Sequence, residues 1–163
     1  MYLTHGHIDH IRNAAYLSEK LNAPIGLGIG DKELIKDNTL QIMNGRCFRG
    51  KILAYFSVKS IKFNLVESFE PSIFFKEGDS LSRFGIDGRI VELPGHTKGS
   101  IGIDIEERDF IVGDALMNMF KPEISLIYEN KRQLEESAEK ISRLGRRTIY
   151  FGHGKSVFNK KWV

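Results

Sequence analysis

Residues 4–10 read Thr-His-Gly-His-Ile-Asp-His, so His5, His7, Asp9 and His10 fall within one short stretch. His5 and His7 are two apart. In an extended segment both rings then lie on one side, because side chains alternate along a strand. Residues 10–21 (HIRNAAYLSEKL) carry Ile11, Ala14, Ala15, Leu17 and Leu21 near the helical period, which predicts a helix where the cluster ends. Asp9 and His10 sit at its start and point to a neighbouring spot, so one segment feeds two adjacent metal positions. Imidazole and carboxylate donors suit zinc, iron or manganese. Without a cation, four such groups crowded together repel one another or hydrogen-bond awkwardly.

The remaining histidines fit the same chemistry. The chain has five in all, and the other two are His96 in PGHTKGS and His153 in FGHGK. Each follows an expected strand, where a sheet scaffold presents ligands on its loops. Asp114 ends the apolar run FIVGD, and a carboxylate at a strand's C-terminal end can join two metals through its two oxygens.

Elsewhere the pattern is that of a mixed α/β chain. Asn22 and Pro24 end the first helix, PIGLGI enters an extended segment, and DKELIKD predicts a brief helix capped by Asp31. Residues 37–70 lack a clean period and read as a helix or a lid-like insertion. From residue 72, SIFFK, LSRFG and RIVELPG, separated by turns at 77–79 and at Asp87-Gly88, predict a meander that continues through SIGIDIEE and RDFIVGD. Residues 131–144 predict an amphipathic helix with Leu134, Ala138, Ile141 and Leu144 buried and Gly145 just beyond its end. RTIYFG is a last strand.

Composition narrows the classes. The 163 residues suit one domain, 1–163, with one core. No apolar run approaches the ~20 residues of a bilayer span, and no signal peptide is evident, so no membrane partner is expected. The single cysteine, Cys47, excludes an internal disulfide framework and fits a cytoplasmic location. A net charge of +3 is mild. The basic residues Arg46, Arg49, Lys51, Lys59 and Lys62, and Arg143, Arg146 and Arg147, read as solvated faces, because nucleic-acid binding wants a concentrated patch with aromatic platforms. GLGIG at 26–30 lacks the third glycine of a dinucleotide fingerprint, since Asp31 stands there.

THGHIDH, PGHTKGSIGI, GDAL and FGHGK, in that order, resemble the metallo-β-lactamase superfamily, and within it the glyoxalase II-like hydrolases. The resemblance implies an αββα sandwich of mixed, largely antiparallel sheets. It implies that His5, His7 and His96 hold a first metal ion, that Asp9, His10 and His153 hold a second, and that Asp114 bridges them. Two zinc ions, or iron or manganese, are then the cofactors. A hydroxide between them would attack an ester, thioester or lactone, with Asp9 orienting it or passing its proton to the leaving group. Lys121 would meet a carboxylate of a small-molecule substrate.

The chain departs from that pattern at its start. In the family some tens of residues, forming strands of the first sheet, precede the first histidines, and only Met1–Thr4 do so here. An N-terminally truncated sandwich leaves strand edges and apolar faces uncovered, which predicts a homo-oligomer through that face. Two other functions share these residues. One is a mononuclear iron dioxygenase of the persulfide-oxidising kind. The other is a truncated, non-catalytic metal-binding domain.

Overall fold

The computed structural model describes residues 1–61, 63 and 65–163. Lys62, the last member of the first basic stretch, and Asn64, within the 37–70 segment, lie outside the described residues.

The chain enters extended: Tyr2 bridges Gly26, and His7 has φ −72° and ψ 147°. The helix expected over 10–21 is two helices, α1 (Ile8–Ile11) and α2 (Ala14–Leu21), separated at Arg12 and Asn13. Ile8, Ile11 and Ala14 are all buried. Spaced by threes, they would drift about 60° per step around one straight helix. Across the break Ile11 and Ala14 pack into one cluster. Leu17 and Leu21 are 39% and 66% exposed, so the outer part of the expected stripe is uncovered. Asn22, at φ 46°, ends α2 in the left-handed conformation that asparagine tolerates.

Next come β1 (Gly26–Gly28), α3 (Lys32–Lys36), β2 (Asn44–Gly45) and α4 (Phe48–Ile61). They are followed by β3 (Ile73–Phe75), β4 (Gly88–Glu92), β5 (Ile101–Ile105), β6 (Asp109–Gly113), β7 (Leu116–Met117), β8 (Glu123–Ile124) and β9 (Ile127–Tyr128). The chain closes with α5 (Lys131–Arg143), β10 (Thr148–Phe151) and β11 (Val157–Phe158). The meander is corrected at its start. β3 pairs in parallel with β1, away from β4, and LSRFG forms a 3-10 turn at Ser82–Phe84. Leu81, at its head, is fully buried among Phe75, Ile90 and Ile101, so its apolar character serves packing rather than pairing.

Four layers result. Leu27 of the small β1–β3 sheet, with the adjoining Leu3 and Ile25, packs outward against Ile11, Ala14 and Ile35 of the first helices. Phe75 and Leu81 pack inward against Ile90, Ile101 and Ile103 of a five-stranded sheet ordered β11-β10-β6-β5-β4. The far face of that sheet (Val91, Phe110, Val112, Ile149) meets Leu134, Ala138 and Ile141 of α5. Burial of each such large side chain contributes about 1.5–3 kcal/mol. Leu144 is only partly buried at the rim of that cluster, and Gly145 (φ 74°) ends the helix as expected. Arg147 corrects the solvated-face reading. It is 8% exposed, and its Nε lies 3.0 Å from Asp104 Oδ1.

This topology gathers the ligand loops. β4 is antiparallel to β5, β5 is antiparallel to β6, and β6 is parallel to β10. The C-terminal ends of β4, β6 and β10 therefore share one edge. His96, Asp114 and His153 each follow one of those ends. Thr4 is tied to the same edge by its carbonyl, which accepts from Ile101 N at 2.8 Å.

Candidate metal centre

At that edge three groups of donor atoms lie within 4.8 Å of one another: His5, His7 and His96; His5, His10 and Asp114; and Asp9, His10 and His153. Asp114 stands between the two histidine sets. Its Oδ1 is 3.6 Å from His10 Nε2, and its Oδ2 is 3.3 Å from His153 Nε2 and 3.8 Å from His96 Nε2. Asp9 Oδ2 is 3.2 Å from His153 Nε2 and 3.6 Å from His10 Nε2. His5, His7, His96 and Asp114 are buried, His10 and His153 are half-buried, and Asp9 is exposed at the mouth of the site.

Neighbouring groups orient the rings. His96 Nδ1 lies 3.0 Å from the Ile127 carbonyl, a partner to which it donates. Its Nε2 is then left with a lone pair, 2.9 Å from His7 Nδ1. His5 Nδ1 meets Thr4 Oγ1 at 3.1 Å, turning Nε2 inward. Such outer contacts fix tautomer and ring direction in metal sites. Buried polar atoms are nearly always paired, yet His5 Nε2, His10 Nε2 and Asp114 Oδ1 have no hydrogen-bond partner. These orphaned atoms belong to one cluster, with ligand atoms within 4.8 Å of one another, and fit a divalent cation.

The electrostatics agree. Burial alone would raise the Asp114 carboxyl, but His10 and His153, helped by His5 and His96, hold it well below the usual carboxylate range. Burial likewise opposes ionisation of Asp9, and His153 and then His10 outweigh it and lower its carboxyl. Both are anionic at neutral pH. Burial, followed by the charge of neighbouring imidazoles, pushes His5 well below its ordinary value and His7 down to about 3. Both stay neutral, as ligands must be. Asp114 and then Asp9 lift His153 to about 10.

These shifts predict how the metal-free fold responds to pH. His153 has a folded-state value above the ~6.5 of an unfolded histidine. Its contribution is fully present below about 6.5 and is lost as pH rises toward 10. His5 and His7 act in the opposite sense: their contribution is present above about 6.5 and is lost as pH falls toward 3. The urea midpoint of chelator-treated protein is expected to peak near pH 6.5 and decline on both sides. A midpoint that rises steadily from pH 7 to 10 would contradict the placement of His153 between two carboxylates.

A cleft of about 340 Å³ opens over the centre. His7, His96, Asp114 and His153 line its floor, Asp9 stands at its mouth, and Leu53, Phe56, Ser57, Ser60 and Ile61 bring α4 down one side. The 37–70 segment thus supplies a wall of the site. Lys121 is exposed and is not among the cleft-lining residues. Cys47 is exposed and free.

Three residues near the centre carry no conspicuous sequence signal. Asp31, expected only as a helix cap, is fully buried and makes no cap bond to α3. It accepts instead from Gly6 N at 2.7 Å, Thr97 Oγ1 at 2.7 Å and Gly99 N at 2.6 Å, joining the His5–His7 segment to the His96 loop. At Gly152 a Cβ would overlap the Asp114 carboxylate and lie 2.7 Å from His10 Cε1, so only glycine lets the chain pass there. Gln41 lines the cleft beside Met43.

No described helix is long and apolar enough to cross a membrane. Comparison with known proteins agrees with the architecture. The chain is 29% identical over 169 residues to hydroxyacylglutathione hydrolase 1 of Vibrio vulnificus, with all of this chain and 51% of that protein aligned. It spans about half the length of that relative. Among solved structures, it superposes on the BLEG-1 B3 metallo-beta-lactamase with a TM-score of 0.76 at 21% identity, over 96% of this chain and 70% of the other. It superposes on TTHA1623 in a di-iron-bound form with a TM-score of 0.72 at 23% identity, over the same 96% and 70%. The family profile matches residues 2–153, a span that holds every histidine and Asp114, and the chain belongs to the Metallo-beta-lactamase superfamily.

Proposed function

We propose that this chain is a binuclear metal-dependent hydrolase that cleaves an ester, thioester or lactone of a small molecule. The observation that carries the reading is Asp114, whose two oxygens lie within 3.8 Å of histidines from both donor sets. In this reading His5, His7 and His96 hold one ion, Asp9, His10 and His153 hold the other, and Asp114 touches both. Zinc, iron or manganese fits these donors. Two such ions, when bound, bring the pKa of a coordinated water down toward neutrality and polarise the substrate carbonyl.

The protein's own groups do the rest. Asp9 is anionic and 60% exposed at the cleft mouth, within 3.2 Å of His153, where it can take a proton from the attacking water and deliver it to the leaving group. His96 is locked by Ile127 and Ser125, whose hydroxyl lies 3.2 Å from Nδ1, so the first donor set needs little rearrangement. Hydroxyacylglutathione hydrolase activity in a relative supports the thioester as one candidate bond.

The test is metal content by plasma mass spectrometry, followed by an ester, thioester and lactone panel. About two ions per chain are expected, with turnover lost in His7→Ala. One iron per chain with persulfide oxidation would replace the hydrolase by a dioxygenase. Failure to take up any metal on reconstitution would reduce the chain to a non-catalytic domain.

A further inference from the structure

Helix α4 turns an apolar side outward, where a surface helix ordinarily carries polar residues. At about 100° per residue, Phe48, Ile52, Tyr55 and Phe56 fall within an arc of roughly 100°, and the buried Gly50, Ala54 and Ile61 lie opposite. The outward arc is open: Phe48 is 78% exposed and Phe56 61%, and Ile52 and Tyr55 are exposed with them. Phe120, 70% exposed, continues it, with the Arg49 guanidinium 5.7 Å from its ring. An exposed apolar patch of this kind marks an interaction site. The charge around it has one sign. Between Asp37 and Glu67 the sequence holds no acidic residue, although the whole chain has 21, while Arg46, Arg49, Lys51, Lys59 and Lys62 are basic. On the helical wheel Arg49 and Lys51 flank the apolar arc and Lys59 falls within it. Glu123 meets Arg46 at 3.4 Å and Arg49 at 3.6 Å, but neither Lys51 nor Lys59 meets a carboxylate among the described residues. A groove of about 690 Å³ beside α4 has both lysines, Tyr55, Val58 and Tyr128 in its lining and no acidic residue.

We propose that α4 docks the protein on an anionic lipid surface, with Phe48, Ile52, Tyr55 and Phe56 in the interface and Lys51 and Lys59 at the headgroups. The expectation of no membrane partner rests on the lack of a spanning run. That bears on crossing a bilayer, whereas lying at its surface takes only one apolar face with cations around it. The first basic stretch, expected as a solvated face, is interleaved with exposed aromatic rings. A bilayer interface is apolar beneath a layer of phosphates, and the outer side of α4 has the complementary order. Lysine stems lie along apolar surface while the ammonium stays with the headgroups. A protein partner would be recognised by placed donors and acceptors, and beyond its cations and the Tyr55 phenol the outer arc carries none. Phe56 also lines the metal cleft, so a docked α4 sets that cleft beside the lipid. The docking stands apart from which bond the centre cleaves.

The metal-loaded full chain is tested by co-sedimentation with vesicles of phosphatidylcholine alone and of phosphatidylcholine mixed with phosphatidylserine. Binding is expected to favour the anionic vesicles by about tenfold or more and to weaken as salt screens the headgroups. A basic residue near an anionic leaflet contributes about fivefold, so Lys51→Gln with Lys59→Gln is expected to lower binding about 30-fold. Phe48→Ser, which removes an exposed ring from α4, is expected to lower it about tenfold or more. These side chains stand in solvent, so both variants should keep the wild-type melting temperature. Should Phe48→Ser melt early, the lysine pair alone decides. Equal affinity for the two vesicle types, no binding to either, or binding that survives both variants would each overturn the proposal. If vesicles fail and Phe48→Ser dissociates a dimer seen by light scattering, the face belongs to a second copy. If they fail and an acidic peptide or an oligonucleotide is held instead, the face belongs to that class of partner, and the lipid reading falls.

Discussion

Asp114→Asn is expected to remove the second ion and lower turnover by a factor on the order of 10²–10³, the range seen when one electrostatic stabiliser is taken from an active site. Asparagine keeps the shape of the side chain, so packing under Gly152 is undisturbed. What is lost is charge. Asp114 lies within 3.3 Å of His153 and 3.6 Å of His10, and it is the largest influence lifting His153 to about 10. With a neutral amide in its place, an ion held by Asp9, His10 and His153 loses one negative neighbour and the oxygen that ties it to the other ion. Metal analysis should then give fewer than two ions per chain. An independent reading comes from the metal-free protein, where the His153 ring should titrate well below its wild-type value by NMR. Full metal content, unchanged turnover and an unmoved His153 titration would together place Asp114 outside the chemistry.

The centre was legible in the sequence because its donors are rare residue types at positions where strands stop. Four of the five histidines adjoin a glycine and the fifth, His10, is three residues from His7, which leaves little for chance to explain. Their convergence rests on the parallel relation of β4, β6 and β10, which no local pattern displays. Periodicity served α5 well, since one face of that helix meets a flat sheet. It misled at residues 10–21, where the helix breaks at Arg12 and Asn13 and the outer leucines, Leu17 and Leu21, stay exposed. It also misled at LSRFG, whose leucine fills the space between two sheets and leads into a 3-10 turn rather than a strand. The glycines of GLGIG serve contact rather than nucleotide binding: a Cβ at Gly28 would overlap the Gly99 carbonyl oxygen and one at Gly30 would lie 2.7 Å from the Lys98 carbonyl carbon. Asp31 was invisible as a tie between loops for a simple reason. Its partners are backbone amides and a threonine as many as 68 residues away, and sequence spacing carries no trace of such bonds.

Asp31→Ala is expected to lower stability by about 3–5 kcal/mol, because it strands two buried backbone donors at once and removes a partner from Thr97. Gly6 N, Gly99 N and Thr97 Oγ1 all point at a carboxylate that is itself fully buried, and alanine offers none of them an acceptor. Thr97 has an escape, since its hydroxyl also meets Ser100 Oγ at 2.7 Å. The two backbone amides have none. Asp31→Asn separates shape from bonding. Oδ2 serves Gly6 and Thr97 while Oδ1 serves Gly99. An amide group must therefore turn its NH₂ toward one backbone N–H in either orientation. Its cost is expected to be about half that of alanine, near 2 kcal/mol. The consequence reaches the metal centre, because the segment tied by Gly6 carries His5 and His7 and the loop tied by Thr97 and Gly99 carries His96. Loss of such supporting contacts typically weakens metal affinity by about 10–100-fold. Urea denaturation of the metal-free variants and competition against a chromophoric chelator measure the two effects separately. If Asp31→Asn matches wild type in both, the two loops are held by their strands alone and Asp31 is a bystander.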